Sequence, residues 1–416
     1  MAADRALPLA AALLVITWAV TFLVDPWSDV SFNDLGVYRG YADAFLDGAV
    51  PYRDVFFEYP PLAALVMALP GLAGTGHDTY ELAFAILALA AAGVILGGCA
   101  RLAARTDGSA RLALLGAALF PLLSGAMLRT HYDVVAVALT VTALVALCAE
   151  RPNIGFALIG LGAMTKVFPL IVAPVALAWL VGRGERRAAL HAAATLVATM
   201  AVVGLPALAL APDGVLDFVR FHFERPVLSE SSPASVLWIL EALGAGPVSD
   251  VPGFRSHGIG HRFDAVVVAA FVGLGLAVLV ALTRLAARSR DPRGLVLASL
   301  GGVLAFATFG KVLSPQFLVW AAPLFALALA WRLWALAAAL GAATALTLAF
   351  FPSRYLDLVA HEPLPIVLLA ARNAALLLAM GLTLRELGRK AGARAGPATA
   401  RASPVPSSSH GAADSS

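Results

Sequence analysis

Apolar residues along this chain gather in long, nearly unbroken blocks separated by short polar segments, and the two-residue alternation of half-buried strands is absent. Blocks near 7–24, 81–100, 112–128, 134–149, 153–164, 167–181, 188–210, 264–283, 294–309, 315–330, 333–350 and 364–383 each predict a helix. A helix that crosses a bilayer needs about 20 apolar residues, fewer where it is broken inside protein. In lipid only helices and closed barrels satisfy their own backbone, and the alternating segments of a barrel are missing here. The expectation is an all-α polytopic membrane protein with about 12 transmembrane helices. Because the blocks at 153–164 and 167–181 are short, Thr165–Pro169 is expected at a depth shielded by neighbouring helices.

Composition sharpens this. Of 416 residues, 60% are hydrophobic and 13% charged, against about 45–50% and about 25% in a soluble domain. Soluble enzymes, nucleic-acid binders, disordered chains and disulfide scaffolds are thereby excluded. Cys99 and Cys148 both lie inside apolar blocks, which argues against a disulfide framework or a cysteine metal site. The basic balance follows from topology. Arg101, Arg105 and Arg111 fall on one side with Arg183, Arg186 and Arg187, with Arg284, Arg288, Arg290 and Arg293, and with Arg385, Arg389 and Lys390. Basic short loops face the cytoplasm, so with twelve crossings both termini are expected there. The first block follows Arg5, lacks a small-residue cleavage site and ends at Asp25-Pro26-Trp27, so it reads as a retained anchor. Were 60–74 to cross, the charge bias would fail; it is expected as an interfacial or re-entrant element on the outer face. This gives a membrane domain over 1–390 with long outer loops at 25–80 and 211–263. Residues 391–416, rich in Ala, Ser, Pro and Gly, are expected as a disordered cytoplasmic tail. Function is expected in the outer loops, because the cytoplasmic ones are too short to form a pocket.

In the first outer loop Leu35, Tyr38, Ala42 and Phe45 recur at helical spacing, predicting an amphipathic helix over 34–47 that lies on the membrane surface. Gly48 and Pro51 end it. Two readings stand for Asp34: it or Asn33 caps this helix, or it is a working carboxylate. Asp54 and Glu58, before Tyr59-Pro60-Pro61, are solvated loop charges or site groups. Lys166 sits between two apolar blocks, where facing lipid would cost about 2.5–3.5 kcal/mol; it snorkels, lines a cavity or meets an anion. His131 and Asp133 open a span, as caps or as site groups. Arg372, beside Asn373 inside the last block, is a buried charge or part of a lipid groove. His257 and His261, with Gly258 and Gly260 between, do not make a metal pair, and no metal is expected. Asp34, Asp54 and Glu58 would suit a divalent ion only if they converged.

The order Asp34-x-x-Val37-Tyr38, Pro51-Tyr52-Arg53-Asp54 and Glu58-Tyr59-Pro60-Pro61 resembles the first outer loop of glycosyltransferase family 87. These are polyprenyl-phosphomannose-dependent α-mannosyltransferases of the C-type superfamily. Arg129-Thr-His-Tyr-Asp133, Thr165-Lys166-Val-Phe-Pro169, His222-Phe-Glu-Arg225-Pro226 with Glu230-Ser231, and Lys311-Val-Leu-Ser-Pro315-Gln316 extend the resemblance to about residue 330. Val227-Leu228-Ser229 departs from it, standing where the family carries a Gln-rich stretch. The resemblance implies inverting transfer of mannose from a polyprenyl-phosphate donor to a lipid or glycan acceptor, forming an α-1,2 linkage, at the outer face of the cytoplasmic membrane. It maps the catalytic base onto Asp34. Arg129, Lys166, Lys311 and Arg354 are then expected at the donor phosphate. Asp54, Glu58, Tyr59, His131, Asp133, His222, Arg225, Glu230 and Gln316 are expected around sugar or acceptor. Membrane lipids, the lipid-linked donor and the acceptor are the implied partners, and no cofactor is required because the carrier-linked sugar is a substrate. Three alternatives stand: another sugar on the same carrier, such as arabinose or glucose; a twelve-span secondary transporter, although related halves are not evident; and a non-catalytic scaffold.

Overall fold

A computed structural model describes residues 6–395, with side chains to Lys390. After α1 (Ala6–Leu23) come α2 (Leu35–Leu46), α3 (Pro61–Gly71) and α4 (His77–Arg105). Next are α5 (Ala110–Ser124), the one-turn α6 (Met127–Thr130), α7 (Asp133–Cys148) and α8 (Pro152–Thr165). A 3-10 turn at Phe168–Ile171 leads into α9 (Val172–Gly182), followed by α10 (Arg186–Leu210). The second long insertion holds α11 (Pro212–Glu224), β1 (Val227–Leu228), α12 (Ser232–Ala242), β2 (Ser249–Val251) and β3 (Gly258–Gly260). The three strands pair antiparallel in the order β1-β3-β2, with Val227 opposite Ile259 and Asp250 opposite Ile259 on the other edge. The chain closes with α13 (Asp264–Ser289), α14 (Pro292–Phe309), a 3-10 segment Pro315–Ala321 running into α15 (Ala322–Ala330), α16 (Trp334–Phe350), α17 (Tyr355–Val359) and α18 (Pro363–Ala395).

Each apolar block coincides with a helix. Among the described residues six helices, α1, α4, α10, α13, α14 and α18, are long and apolar enough to cross a membrane, and the remaining blocks form shorter ones. Proline sets several starts: Pro61, Pro152, Pro212, Pro292 and Pro363 each stand at the first helical position, where a missing N–H costs nothing. The expected tail at 391–416 begins inside α18, which continues to Ala395. The rest of that tail, and Arg5, lie outside the described residues.

Burial separates a protein-facing core from a lipid-facing coat. Every residue of α14 from Gly294 to Ala305 is buried, as expected for a central helix that is apolar all round. In contrast, α10 and α13 present bare aliphatics, with Leu190 70%, Val202 75% and Val266 68% exposed. Apolar surface of that extent is stable only against lipid or another apolar partner.

The bundle has two ends, fixed by hydrogen bonds between distant segments. At one, Trp331 Nε1 donates to Thr106 Oγ1 (2.9 Å), Trp179 Nε1 to the Asp291 carbonyl (3.1 Å), and Arg293 pairs with Glu386 (3.1 Å). At the other, Trp27 Nε1 donates to the Leu122 carbonyl (2.6 Å), Lys166 meets Asp133, and Lys311 reaches the Phe223 carbonyl (2.7 Å). Both long insertions sit at this second end. Helix α3 lies there too, tied by Tyr80 Oη donating to the Met67 carbonyl (2.9 Å). Its eleven residues span about 16 Å, too short to cross.

Opposite ends must answer differently to a reagent confined to one aqueous side. In a Cys99→Ala, Cys148→Ala background, Ser31→Cys and Asp107→Cys are expected to give opposite results with a membrane-impermeant maleimide on intact cells. Equal labelling of both would contradict the two-ended arrangement.

Candidate active site

Asp34 occupies the position before α2 but does not cap it. Asn33 does the local work: its Oδ1 accepts from the Leu35 N–H (2.8 Å), while its Nδ2 donates to the Val30 carbonyl (2.6 Å). The Asp34 carboxylate is left partly exposed, with Oδ2 accepting from the Tyr38 hydroxyl at 3.1 Å and lying 3.7 Å from His131 Nε2. Tyr38 is fully buried and anchors a ring cluster, with centroids 5.5 Å from Tyr132 and 6.0 Å from Tyr59. His131 is buried, and its Nδ1 lies 3.0 Å from Thr130 Oγ1 and 3.1 Å from the Met127 carbonyl. A carbonyl only accepts and the Thr130 hydroxyl already donates to Ala126 (2.9 Å). The ring proton therefore sits on Nδ1, and Nε2 faces Asp34 as an acceptor when the ring is neutral.

Beneath this rim lies a closed ion pair. Lys166 Nζ meets Asp133 Oδ2 at 2.6 Å, and Trp320 Nε1 donates to Asp133 Oδ1 at 2.7 Å. The ammonium also stands over the Tyr132 ring, 4.6 Å from its centroid. Asp133 is fully buried, so it is a counter-charge inside the bundle and not positioned to touch a sugar. Lys166, expected at a phosphate, has its charge taken by Asp133. Arg129, expected beside it, is likewise engaged: Nε donates to the Thr21 carbonyl (3.0 Å), Nη2 reaches the Ser28 carbonyl (3.5 Å), and the guanidinium covers Phe22. It fastens the end of α1 to α6.

The second insertion supplies the other wall. Gly214 lets α11 press against the Tyr52 turn, since a Cβ there would fall 1.9 Å from the Tyr52 carbonyl oxygen. His222 Nε2 then donates to the Glu58 carbonyl (3.0 Å). Arg255 Nη1 bridges the Glu58 carboxylate (2.9 Å) and the Tyr41 hydroxyl (2.7 Å). Burial pushes the Glu58 carboxyl above its ordinary range, with Arg255 pulling the other way. Arg225 projects among the acids: burial lowers its pKa, while the charges of Glu58, Tyr59, Glu230 and Asp34 oppose that shift. Its Nε is buried and without a partner. Lys311 lies close by, lowered by burial first and by the Arg225 charge second. One ammonium hydrogen goes to the Phe223 carbonyl, leaving two free. Glu230 is buried, accepts from Ser229 Oγ (2.9 Å) and is raised by burial. Arg372 donates to the Glu230 carbonyl, resolving its role as a buried charge that pins the insertion to α18. Asn373 adds bonds to Ser231 (3.1 Å) and Ser235 (2.7 Å).

Some expected residues stand apart. Asp54 folds back on its own turn, accepting from Arg53 (2.9 and 3.0 Å) and the Val50 N–H (2.8 Å), and the Arg53 bond holds its pKa down to about 2. It therefore does not converge with Asp34 and Glu58 on an ion. Arg354 is exposed at the rim, and Gln316 is half-buried at the start of the 3-10 segment. Sequence reasoning missed Arg255 and Tyr355, which packs on Phe32 at 5.0 Å and is raised by burial and by Glu230. Arg255 lies in a polar stretch with no periodic signal, so only the folded geometry reveals it. An apolar groove of about 410 Å³ between α1 and α5, reaching Arg111, lies at the opposite end and touches none of these groups.

A sequence model described as Glycosyltransferase family 87 matches residues 56–315, more than half of the chain; Asp34, Asp54, Gln316 and Arg354 fall outside the match. No curated protein matches the chain. Among solved structures it is similar to ArnT from Cupriavidus metallidurans in the apo state, at 16% identity and a TM-score of 0.47, covering 95% of this chain and 78% of that one. The same protein bound to undecaprenyl phosphate gives 18% and 0.43, covering 93% and 77%. The Archaeoglobus fulgidus oligosaccharyltransferase, solved with a tethered acceptor peptide, gives 15% and 0.44 over 90% of this chain. The chain spans about half the length of that protein, covering 55% of it.

Two outcomes follow from the geometry. Asp133→Ala strands the Lys166 ammonium inside the bundle and is expected to lower stability by about 3–5 kcal/mol. Adding Lys166→Met should recover most of the loss in thermal unfolding, and an unaffected single variant would refute the pairing. Glu58 holds its proton more tightly folded than unfolded, so the stability it lends is complete below its ordinary value of 4.5 and drains away as pH rises through the raised one. The melting temperature of Glu58→Gln relative to the parent should therefore climb between pH 5 and pH 8. A flat or falling difference would count against the burial effect.

Proposed function

The chain belongs to glycosyltransferase family 87, and on that premise we propose that it transfers mannose from a polyprenyl-phosphate carrier to a lipid or glycan acceptor. The proposed reaction inverts a β-linked mannosyl phosphate to an α-1,2 mannoside, on the outer face of the cytoplasmic membrane. The observation that carries this reading is the Asp34 carboxylate, released from helix capping and presented at the rim where both long insertions meet. Membership in a glycosyltransferase family sets aside the transporter and scaffold alternatives.

The carrier lipid explains why the site lies at one end of the bundle. Its tail dissolves among the exposed aliphatics, its phosphate stays at headgroup depth, and its sugar reaches water. In the proposed step Asp34 removes the proton of the acceptor hydroxyl, whose oxygen attacks the anomeric carbon. The bond from that carbon to the phosphate oxygen breaks, and the electron pair leaves with the polyprenyl phosphate. Arg225 and Lys311 are neighbouring cations that make no ion pair among the described residues, and suit the departing phosphate better than Lys166, whose charge Asp133 neutralises, or Arg129, whose guanidinium is bound to the Thr21 and Ser28 carbonyls. Arg354, at the exposed rim, adds positive charge nearby. His131 Nε2 stands 3.7 Å from Asp34, placed to draw the collected proton away.

Purified protein given labelled polyprenyl-phosphomannose and a set of lipid acceptors tests this. Asp34→Asn should cut transfer about 10²–10⁴-fold with the fold intact. Undiminished transfer by the Asn variant would remove Asp34 as the base, and transfer of arabinose or glucose in preference to mannose would reassign the donor.

A further inference from the structure

A second cluster of functional groups lies beside the site and takes no part in the proposed transfer. Asp250 of β2, His257 just before β3 and His361 in the turn between α17 and α18 bring one ligand atom each within 4.8 Å of one another. Both imidazoles aim the same nitrogen at the same oxygen: His257 Nε2 lies 2.9 Å and His361 Nε2 3.0 Å from Asp250 Oδ1. Three separate segments contribute, and Asp250 and His361 are 111 residues apart.

We propose that Asp250, His257 and His361 bind a divalent transition ion of the zinc class, fastening the β2–β3 hairpin to the α17–α18 turn. The donor set suits such an ion, for which two imidazole nitrogens and one carboxylate oxygen are ordinary ligands at about 2.0–2.2 Å. Tetrahedral bonds of that length put ligand atoms about 3.3 Å apart, close to the two nitrogen–oxygen distances observed. Asp250 is 57% exposed on its side chain, leaving a fourth position open to water.

Both rings are held ready. Trp238 packs edge-on against His361 with centroids 4.7 Å apart. The backbone of His361 takes φ +61°, a left-handed conformation in which asparagine, aspartate and histidine are the non-glycine residues most often found. Its ring faces β2, where Nε2 meets Asp250. His257 Nδ1 is buried without a partner, so Nε2 is the ring's one polar outlet, and it faces Asp250. The consequence reaches the site by short steps. The His257 carbonyl accepts from the Ser229 N–H at 3.0 Å, next to Glu230, and Arg255 lies two residues earlier on the same strap. A bound ion would therefore stiffen the wall that carries Arg255 across Glu58. This goes beyond the proposed transfer and does not depend on it.

Zinc content and thermal stability test the proposal. Full-length protein in detergent is stripped with a chelator, titrated with Zn²⁺, and measured by elemental analysis after desalting and by melting temperature. The parent should retain one equivalent and gain about 3 °C or more, reversed by the chelator. Asp250→Asn keeps an oxygen for both histidine hydrogen bonds, so it should fold with the stripped parent's melting temperature yet bind Zn²⁺ at least tenfold more weakly. His361→Asn, which tolerates the left-handed backbone, should behave likewise. His77→Ala removes the exposed His77–Glu81 pair and should change nothing. The proposal is overturned if the parent keeps no zinc and gains no stability, or if the Asn variants match the parent.

Discussion

Lys166 and Asp133, closed at 2.6 Å with Trp320 completing the carboxylate's bonds, hold together the part of the bundle on which the site is built. The contact ties α8 to α7 and both to the 3-10 segment ahead of α15. A lone charge at that depth would be costly, but paired and hydrogen-bonded it becomes a fixed joint. Immediately before Asp133 come His131 and Tyr132. Their rings, positioned by the joint below, form the floor against which Tyr38 and Asp34 rest. The rim carboxylate is thus set by a pair that lies beneath it.

The two insertions add what the bundle cannot. A lipid-facing bundle has few polar groups to spare, so its chemistry must come from segments that leave the hydrocarbon. The first brings Asp34, Tyr41, Glu58 and Tyr59; the second brings His222, Arg225, Glu230 and Arg255. Cross-links between them run through backbone as well as side chain, as in His222 to the Glu58 carbonyl and Arg255 to the Glu58 carboxylate. Arg372 performs the equivalent task from within α18, reaching the carbonyl of Glu230. Several cations in this region brace the fold, whereas Arg225 and Lys311 make no ion pair among the described residues.

Local pattern carried the helices because each apolar block is a property of neighbouring residues. The surface helix over 34–47 and its end at Gly48 were legible for the same reason; the helix is found at Leu35–Leu46. The tail boundary was less so, since α18 continues to Ala395 through a stretch without apolar periodicity. Partners were not legible at all. Lys166 and Asp133 are 33 residues apart, and Arg255 and Glu58 are 197 apart. Nothing in the spacing of either pair encodes the contact. The resemblance put Asp133 at the sugar and Lys166 at the phosphate, and the structure pairs the two with each other. Asp54, expected at sugar or acceptor, is paired with its own neighbour Arg53.

In the proposed reaction Asp34 faces an acceptor across a sugar whose phosphate rests on Arg225 and Lys311. A structure of the protein holding an unreactive polyprenyl-phosphosugar analogue in nanodiscs tests it most directly. Phosphate density is expected between those two cations, with the Asp34 carboxylate on the opposite face of the anomeric carbon and room there for an acceptor hydroxyl. Phosphate density at the other end of the bundle, or a sugar lying away from Asp34, would contradict it.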